Sequence, residues 1–408
     1  MIDEQRASMP EAPEIDLTGL QPPDAAAVAA AQKSAPGVNL AGLLPWIVLG
    51  VLVGLAAGKF DLAGILPWWL GRISLLPFLA GVGLSIWPHA VVHEAGHAGA
   101  GTLFGQRVHG AGIGPWRLER GQRGWHWRRG GTIRGISGFV VLAPREGREL
   151  GRADQAMYFL GGPLANLVTA ALGWWALAGL DPAHWPVSMA WGAVVMALLL
   201  GVINLLPFRP GGWYSDGANL LQLLRGGDAA RVRLCLSQWM GLSFMGVRPR
   251  DWPSTLAPRP VSAGLDPLLT LAHEQVHLLW AVDSGRVELA DGLAGALAPR
   301  VLELPGPMQP ALAVNLCAYI ARCRPDVALL RAWLPWCERP ALLDLSAQCH
   351  LLRAELAALE ADQAELAVQL AHARQQLHKV HDAGSAIMLR ERIDLLASGR
   401  ARSESDLA

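Results

Sequence analysis

The segment HAVVHEAGHAGAG holds three residues that could do metal chemistry together, namely His93, Glu94 and His97. Two histidines four residues apart lie one turn apart on the same helix face, where both rings can bind one metal ion. The glutamate beside the first histidine is placed to take a proton from a water that the metal activates. Placing ionisable side chains in an apolar helix costs free energy, so their presence indicates a functional site. The alternative is that the two histidines only pack against neighbouring helices. The spacing therefore predicts a metal site.

A third ligand is needed, because a catalytic zinc takes three protein ligands and keeps one position for water. Asp216, in NLLPFRPGGWYSDGANLL, follows the last apolar stretch and is expected to reach the same membrane face as the histidines. The glycines and prolines there break a helix, which membranes tolerate where backbone lines a cavity or is buried in protein. We expect His93, His97 and Asp216 to hold Zn²⁺, with Glu94 as general base.

Residues 73–225 carry three ordered motifs and resemble the site-2 protease family of intramembrane zinc metallopeptidases. The motifs are HEAGH in a membrane helix, GGPLAN opening the next, and N-x-x-P followed by D-G after the last. In that family the motif histidines and the D-G aspartate bind zinc, and the motif glutamate is the general base. The resemblance implies these roles for His93, His97, Asp216 and Glu94.

Two asparagines and one further histidine lie in the apolar stretches. The resemblance implies a place near the cleft for Asn166 and Asn204, where they would bind substrate backbone or an oxyanion. Hydrogen bonding between helices is the alternative for both asparagines. His89 lies one turn before His93 and is either a group that orients a ligand or, as we expect, a bystander. An insertion, GGWYS, separates Asn204 from Asp216 relative to the family's usual N-x-x-P-x-x-P-x-D-G tract.

A second H-E-x-x-H occurs in LLTLAHEQVHLLW, with His273, Glu274 and His277. On a helix these three fall opposite an apolar stripe, which predicts a solvated polar face. The stripe consists of Leu268, Leu269, Ala272, Val276 and Leu279. No comparable third-ligand motif follows, and the nearest candidate is Glu288. We therefore do not expect this motif to bind metal.

Four apolar stretches are long enough, or nearly so, to cross a hydrocarbon core of about 30 Å. They are Leu40–Gly58, Ile73–Phe104, Met157–Leu180 and Trp185–Phe208. The loop 105–156 carries ten arginines against four acidic residues, so the positive-inside rule predicts a cytoplasmic loop. With four spans, both termini are then cytoplasmic, in what we expect to be a bacterial inner membrane.

The chain is expected to divide into a disordered tail (1–39), a transmembrane core (40–225), a connecting helix with a Pro-rich linker (226–260) and a helical cytosolic domain (261–408). Within the last domain, residues 340–382 are expected to form one long helix with a heptad seam. That seam indicates either a coiled coil, for self-association or a partner protein, or packing inside the chain. It comprises Leu345, Cys349, Leu352, Leu356, Leu359, Gln363, Leu366, Leu370, Ala373, Leu377 and Val380.

Composition narrows the class of protein. Hydrophobic residues make up 52% of the chain and mean hydropathy is +0.28, which favours a membrane protein. The 34 basic and 34 acidic residues cancel, so no overall field indicates nucleic acid as a partner. The five cysteines show no metal or disulfide spacing and are expected to be free thiols.

Together these patterns predict an α-helical integral membrane protein with about four transmembrane helices and an all-α soluble C-terminal domain. The expected activity is zinc-dependent hydrolysis of peptide bonds in membrane-embedded protein or peptide substrates. The alternative from another class is a membrane scaffold with a vestigial metal site, whose C-terminal helices bind partners. A metal transporter is less favoured, because no further intramembrane carboxylates or histidines mark a path.

Overall fold

The computed structural model describes residues 17–34, 72–121, 124–129, 138–145, 150–208, 214–256, 259 and 264–399. The first predicted span, Leu40–Gly58, lies outside these residues. The chain divides into two compact units, which are described separately. The core unit comprises Ala26–Met245 and Val261–Leu265, and the C-terminal unit comprises Met1–Ala25, Gly246–Pro260 and Asp266–Ala408.

Three helices of the core unit are long and apolar enough to cross a membrane. They are α2 (Leu75–Leu103), α3 (Arg152–Leu177) and α4 (Trp185–Leu205), and they coincide with the second, third and fourth predicted spans. Large apolar side chains cover their outer surfaces, as Leu76 and Trp175 show with 79% and 80% exposure. Such an apolar exterior suits lipid rather than water.

Glycines let these three helices pack with their backbones in close approach. A Cβ built on Gly96 of α2 would lie 2.3 Å from the carbonyl oxygen of Gly161 in α3, and one on Gly161 would lie 2.4 Å from that of Gly96. Gly192 of α4 meets the Phe78 carbonyl of α2 in the same way, at 2.1 Å. Small residues at such crossings are the usual means of packing helices in membranes.

The basic loop predicted between the second and third spans contains an antiparallel β-sheet, which the sequence analysis did not predict. Its strands are β1 (Gln106–Ile113), β2 (Trp116–Gly121), β3 (Gly124–Arg129) and β4 (Gly138–Pro144), in the order β3-β2-β1-β4. Apolar side chains alternate with polar ones in part of β2, at Trp116 and Leu118, and in part of β3, at Trp125 and Trp127, which is the pattern of a strand. The all-helical fold class is thus corrected to a mostly helical one with a small sheet.

Two further helices complete the core unit and follow α4 along the chain. They are α5 (Asp216–Arg225) and α6 (Gly227–Phe244). Helix α6 packs against β4, and α5 packs against α3 and the end of α4. These contacts place the first residue of α5 beside the long apolar helices α3 and α4.

The C-terminal unit is built from helices that pack against their neighbours in the sequence. They are α7 (Pro267–Asp283), α8 (Val287–Leu297), α9 (Gln309–Arg322), α10 (Val327–Cys337), α11 (Ser346–Leu359), α12 (Gln363–Gln376) and α13 (Ala383–Ala397). Short 3₁₀ helices join them, including Ala298–Glu303 between α8 and α9. The described part of residues 261–408 is helical, as predicted.

The prediction of one long heptad helix for residues 340–382 is wrong. The segment folds as two helices, α11 and α12, followed by the short 3₁₀ helix Leu377–Lys379. Ala361 adopts a positive φ of 61°, and the Asp362 side chain then caps α12 by accepting from the Ala364 and Glu365 amides. Seven of the eleven seam residues are buried within the unit, where Leu366 and Leu370 of α12 share a core with Leu351 of α11, whereas Leu359 at the end of α11 is 37% exposed. Packing inside the chain, the alternative to a coiled coil, therefore explains the seam.

The tail predicted to be disordered contains ordered structure within its described part. Residues Leu17–Leu20 form a 3₁₀ turn and Ala25–Ser34 form helix α1. The sequence of α1, AAAVAAAQKS, is rich in alanine, the residue with the highest helix propensity. The turn is ordered for another reason, since Leu20 is buried in the C-terminal unit.

Candidate metal centre

Helix α2 brings His93 and His97 together in the manner that their spacing predicts. The helix runs unbroken through Pro88, and the two imidazole centroids lie 4.7 Å apart with their planes nearly perpendicular. His97 is buried and His93 is partly buried. Their Nε2 atoms lie 3.1 Å apart, so both rings turn the same nitrogen towards one point.

Asp216 reaches that point because a serine hydroxyl joins the end of α4 to the start of α5. Ser215 Oγ donates to the Leu206 carbonyl at 2.6 Å and accepts from the Ala218 amide at 3.1 Å, which caps α5. Gly217 lies so close to α4 that a Cβ there would be 1.9 Å from the Leu205 carbonyl oxygen. The D-G pair therefore has a steric reason, since only glycine after Asp216 permits this approach.

The three predicted ligands form a compact triangle. Oδ2 of Asp216 lies 3.1 Å from His93 Nε2 and 3.4 Å from His97 Nε2, and the two histidine nitrogens are 3.1 Å apart. A tetrahedral zinc with bonds of about 2.0–2.1 Å separates neighbouring ligand atoms by about 3.3–3.4 Å. The triangle thus matches one face of a zinc tetrahedron. Among the described residues it is the one group of three histidine, cysteine or acidic side chains arranged to hold a metal.

The outer nitrogens of both imidazoles have partners that favour metal binding at Nε2. His97 Nδ1 lies 2.6 Å from the Tyr158 carbonyl oxygen, which can only accept, so Nδ1 carries the proton. His93 Nδ1 lies 3.3 Å from the Asn166 amide nitrogen, while the Asn166 Oδ1 is buried without a hydrogen-bond partner. Turning the Asn166 amide by 180° puts Oδ1 in the place of the amide nitrogen, where Oδ1 accepts a hydrogen bond from His93 Nδ1–H. Both Nε2 lone pairs then face the same point.

Two glycines leave open space beside the predicted metal ligands and beside Glu94. A Cβ on Gly162 of α3 would lie 2.4 Å from His97 Nε2 and 2.8 Å from His93 Nε2. A Cβ on Gly138, the first residue of β4, would lie 3.0 Å from Oε1 of Glu94. The Glu94 carboxylate therefore lies between the histidine helix and the edge strand of the sheet.

Tyr158 of α3, which no sequence motif indicates as part of the site, makes hydrogen bonds to both α2 and β4. Its carbonyl oxygen accepts from His97, and its hydroxyl donates to the Val140 carbonyl of β4 at 3.1 Å. Gly162 was noted only as part of GGPLAN, and Ser215 only within the insertion. Adjacent glycines in an apolar stretch are a signal for close helix packing and could have identified Gly162.

Two other polar side chains of the apolar helices do not join the triangle. The Asn204 amide donates to the Leu200 carbonyl of its own helix at 2.8 Å. His89 Nε2 lies 3.0 Å from the Ala193 carbonyl of α4 and so links two helices. Asn166 contacts His93, one of the predicted metal ligands, whereas His89 contacts the backbone of α4.

The second H-E-x-x-H motif is buried, contrary to the solvated face predicted for it. His273 is 2% and His277 7% exposed, because α7 packs against both α8 and α9. Burial lowers the pKa of His277, which keeps its imidazole neutral. Burial also raises the pKa of the Glu274 carboxyl, and the Arg300 guanidinium at 3.1 Å opposes that shift. Among the described residues, no third histidine, cysteine or acidic side chain lies near enough to complete a metal site with these two histidines.

Comparisons with protein-family models, with curated proteins and with solved structures give no match. The resemblance to site-2 proteases accordingly depends on the motifs and on the geometry described above.

Proposed function

We propose that this chain is a zinc-dependent intramembrane endopeptidase in which His93, His97 and Asp216 hold the metal. The observation that carries the proposal is the triangle of two Nε2 atoms and one carboxylate oxygen, with edges of 3.1, 3.1 and 3.4 Å. Its dimensions suit zinc, and its composition leaves one coordination position open. Bound there, zinc would act as a Lewis acid that lowers the pKa of water and polarises a carbonyl.

Glu94 is the residue we assign to proton transfer. It follows His93 directly in α2, and its carboxylate lies beside Gly138 rather than in the triangle, which leaves it free to act as a base. As water attacks the substrate carbonyl carbon, Glu94 would take one proton from the water. It would then pass that proton to the amide nitrogen as the carbon–nitrogen bond breaks.

The surroundings of the site support a substrate drawn from the membrane. His93 lies ten residues before the end of α2, or about 15 Å along the helix axis, inside a helix long enough to span a bilayer. A substrate helix must unwind there, because its carbonyls are otherwise occupied by hydrogen bonds within the helix. We therefore propose membrane-embedded protein segments as the substrate class, with Asn166 orienting His93 rather than binding substrate.

The experiment uses the full chain reconstituted in lipid nanodiscs with a panel of single-span membrane proteins. Some of these have helix-breaking residues in their spans, and matched versions lack them. We expect cleavage that a chelator abolishes and that zinc restores, with faster cleavage of the helix-breaking versions. A chain that binds zinc stoichiometrically but cleaves none of them would favour the scaffold alternative.

A further inference from the structure

The 3₁₀ turn Leu17–Leu20 is bound to the C-terminal unit as a peptide ligand would be. The Leu20 side chain is 3% exposed, and its carbonyl oxygen accepts a hydrogen bond from Trp333 Nε1 at 2.7 Å. Trp333 lies on α10 and is itself fully buried. More than three hundred residues separate the two partners in the sequence.

The surface that receives the turn is formed by neighbouring helical segments. The turn packs against α8 and against the 3₁₀ helix Ala298–Glu303, whose Ala298 and Val301 side chains are fully buried. Gly19 and Gln21, on either side of Leu20, are exposed. Leu20 thus contributes both a buried side chain and a backbone carbonyl to the contact.

The turn has no means of holding its own shape. A single four-residue 3₁₀ turn is too short to be stable alone, and Pro22 and Pro23 prevent it from continuing as a helix. The order of the turn must therefore come from docking. A buried indole N–H needs an acceptor, and in this fold the tail supplies it.

These features are those of a site that recognises peptides. Every residue has a backbone carbonyl, so the hydrogen bond from Trp333 does not select a particular side chain. The apolar pocket does select one, which here is leucine. We propose that the C-terminal unit is a peptide-recognition module, and that residues 17–23 of the same chain occupy its site. The ligand class is a short segment with a leucine followed closely by prolines. A partner protein carrying such a segment would compete with the tail.

The first test measures hydrogen–deuterium exchange of the full chain in nanodiscs. Leu20→Asp places a charge in the pocket, and Trp333→Phe keeps the ring but removes the donor. We expect the amides of residues 17–21 to exchange at least roughly tenfold faster in Leu20→Asp, since burial of a leucine is worth about one to two decades in an equilibrium constant. Gln21→Ala, at the exposed neighbour, is the matched control and should exchange like the wild type.

The second test adds a fluorescent synthetic peptide covering residues 15–25 to the same proteins. Because Leu20→Asp vacates the site, it should bind the peptide roughly tenfold or more tightly than the wild type, and the double variant with Trp333→Phe more weakly than Leu20→Asp alone. The same peptide with aspartate in place of the leucine at position 20 should not bind. Equal binding to the wild type and to Leu20→Asp, or unchanged exchange in the tail, would overturn the proposal. Neither measurement depends on protease activity.

Discussion

The amide of Asn166 lies 3.3 Å from Nδ1 of His93, on the opposite edge of the imidazole ring from Asp216. The contact fixes the ring orientation from α3 while the other ring nitrogen faces the triangle. Partners of this kind typically change metal affinity by about ten- to a hundredfold when removed. We expect Asn166→Leu to weaken zinc binding by about that factor in a competition titration with a chromophoric chelator. Asn204→Leu is the control, and equal affinity in both variants would show that Asn166 does not orient His93.

Zinc content itself tests the triangle. The purified wild-type chain should carry one zinc per molecule, measured by mass spectrometry of the metal, and His97→Ala or Asp216→Ala should carry little. His89→Gln is the matched control, because His89 is one turn from His93 but bonds to Ala193 instead. Full zinc content in Asp216→Ala would mean that another residue supplies the third ligand.

Glu94→Gln separates metal binding from proton transfer. The amide cannot accept a proton, so the cleavage rate should fall by about 10²–10⁴-fold while zinc content stays at one per chain. Both quantities are measured on one preparation, with the membrane-protein panel as substrate. An active Glu94→Gln enzyme would exclude Glu94 as the base.

Gly162→Ala tests whether α3 forms the wall of the site. Its methyl group would fall 2.4 Å from His97 Nε2, where the metal and its ligands need space. We expect zinc loss and inactivity without loss of the helical circular dichroism signal. Gly99→Ala on α2, where nothing lies within 4 Å of the added carbon, should behave as the wild type. If Gly162→Ala keeps its zinc, the two helices separate more readily than the structure indicates.

The C-terminal unit should lose stability in acid through Glu355. This carboxylate is 2% exposed and bridges Arg322 of α9 and Arg392 of α13, each at 2.8 Å. Burial alone would raise its pKa, but the two guanidiniums outweigh burial and hold the pKa below the ordinary value of 4.5. The stabilisation is therefore complete above pH 4.5 and is lost as the pH falls through the lower, folded-state pKa.

A substitution checks the same bridge at neutral pH. Glu355→Gln should lower the opening free energy of α9, α11 and α13 by about 3–5 kcal/mol, because two partly buried guanidiniums lose their counter-charge. Hydrogen exchange in the full chain measures that energy. Glu360→Gln removes the solvent-exposed pair with Arg331 and should cost at most about 1 kcal/mol. Equal effects of the two substitutions would contradict the buried bridge.

The parts of the fold that could be predicted are those that local spacing determines. Four-residue spacing places His93 and His97 on one face, and long apolar runs identify α2, α3 and α4. Asp216 could be named only from motif order, since the contact depends on Ser215 and Gly217 at the end of α4. The adjacent glycines Gly161 and Gly162 indicate close helix packing, but spacing along the chain does not show that Gly162 faces the two histidines, which lie on another helix.

The errors come from contacts that a one-dimensional pattern does not contain. His273 and His277 look solvated on a single helix, yet two neighbouring helices cover both sides of α7. The heptad seam is real, but a residue with positive φ, Ala361, folds it back on itself. In the basic loop, arginines lie among the alternating apolar residues of β2 and β3, so a charge count does not indicate these strands.

If the three long apolar helices cross a bilayer, the hydrogen bond between Trp333 and Leu20 also constrains how many times the chain crosses it. Two groups in contact lie on the same side, so the chain between them must cross an even number of times. The described residues contain three helices able to cross, which is odd. The span predicted at Leu40–Gly58, outside the described residues, would make the number even. A chain without that span could keep the docked tail or all three crossings, but not both.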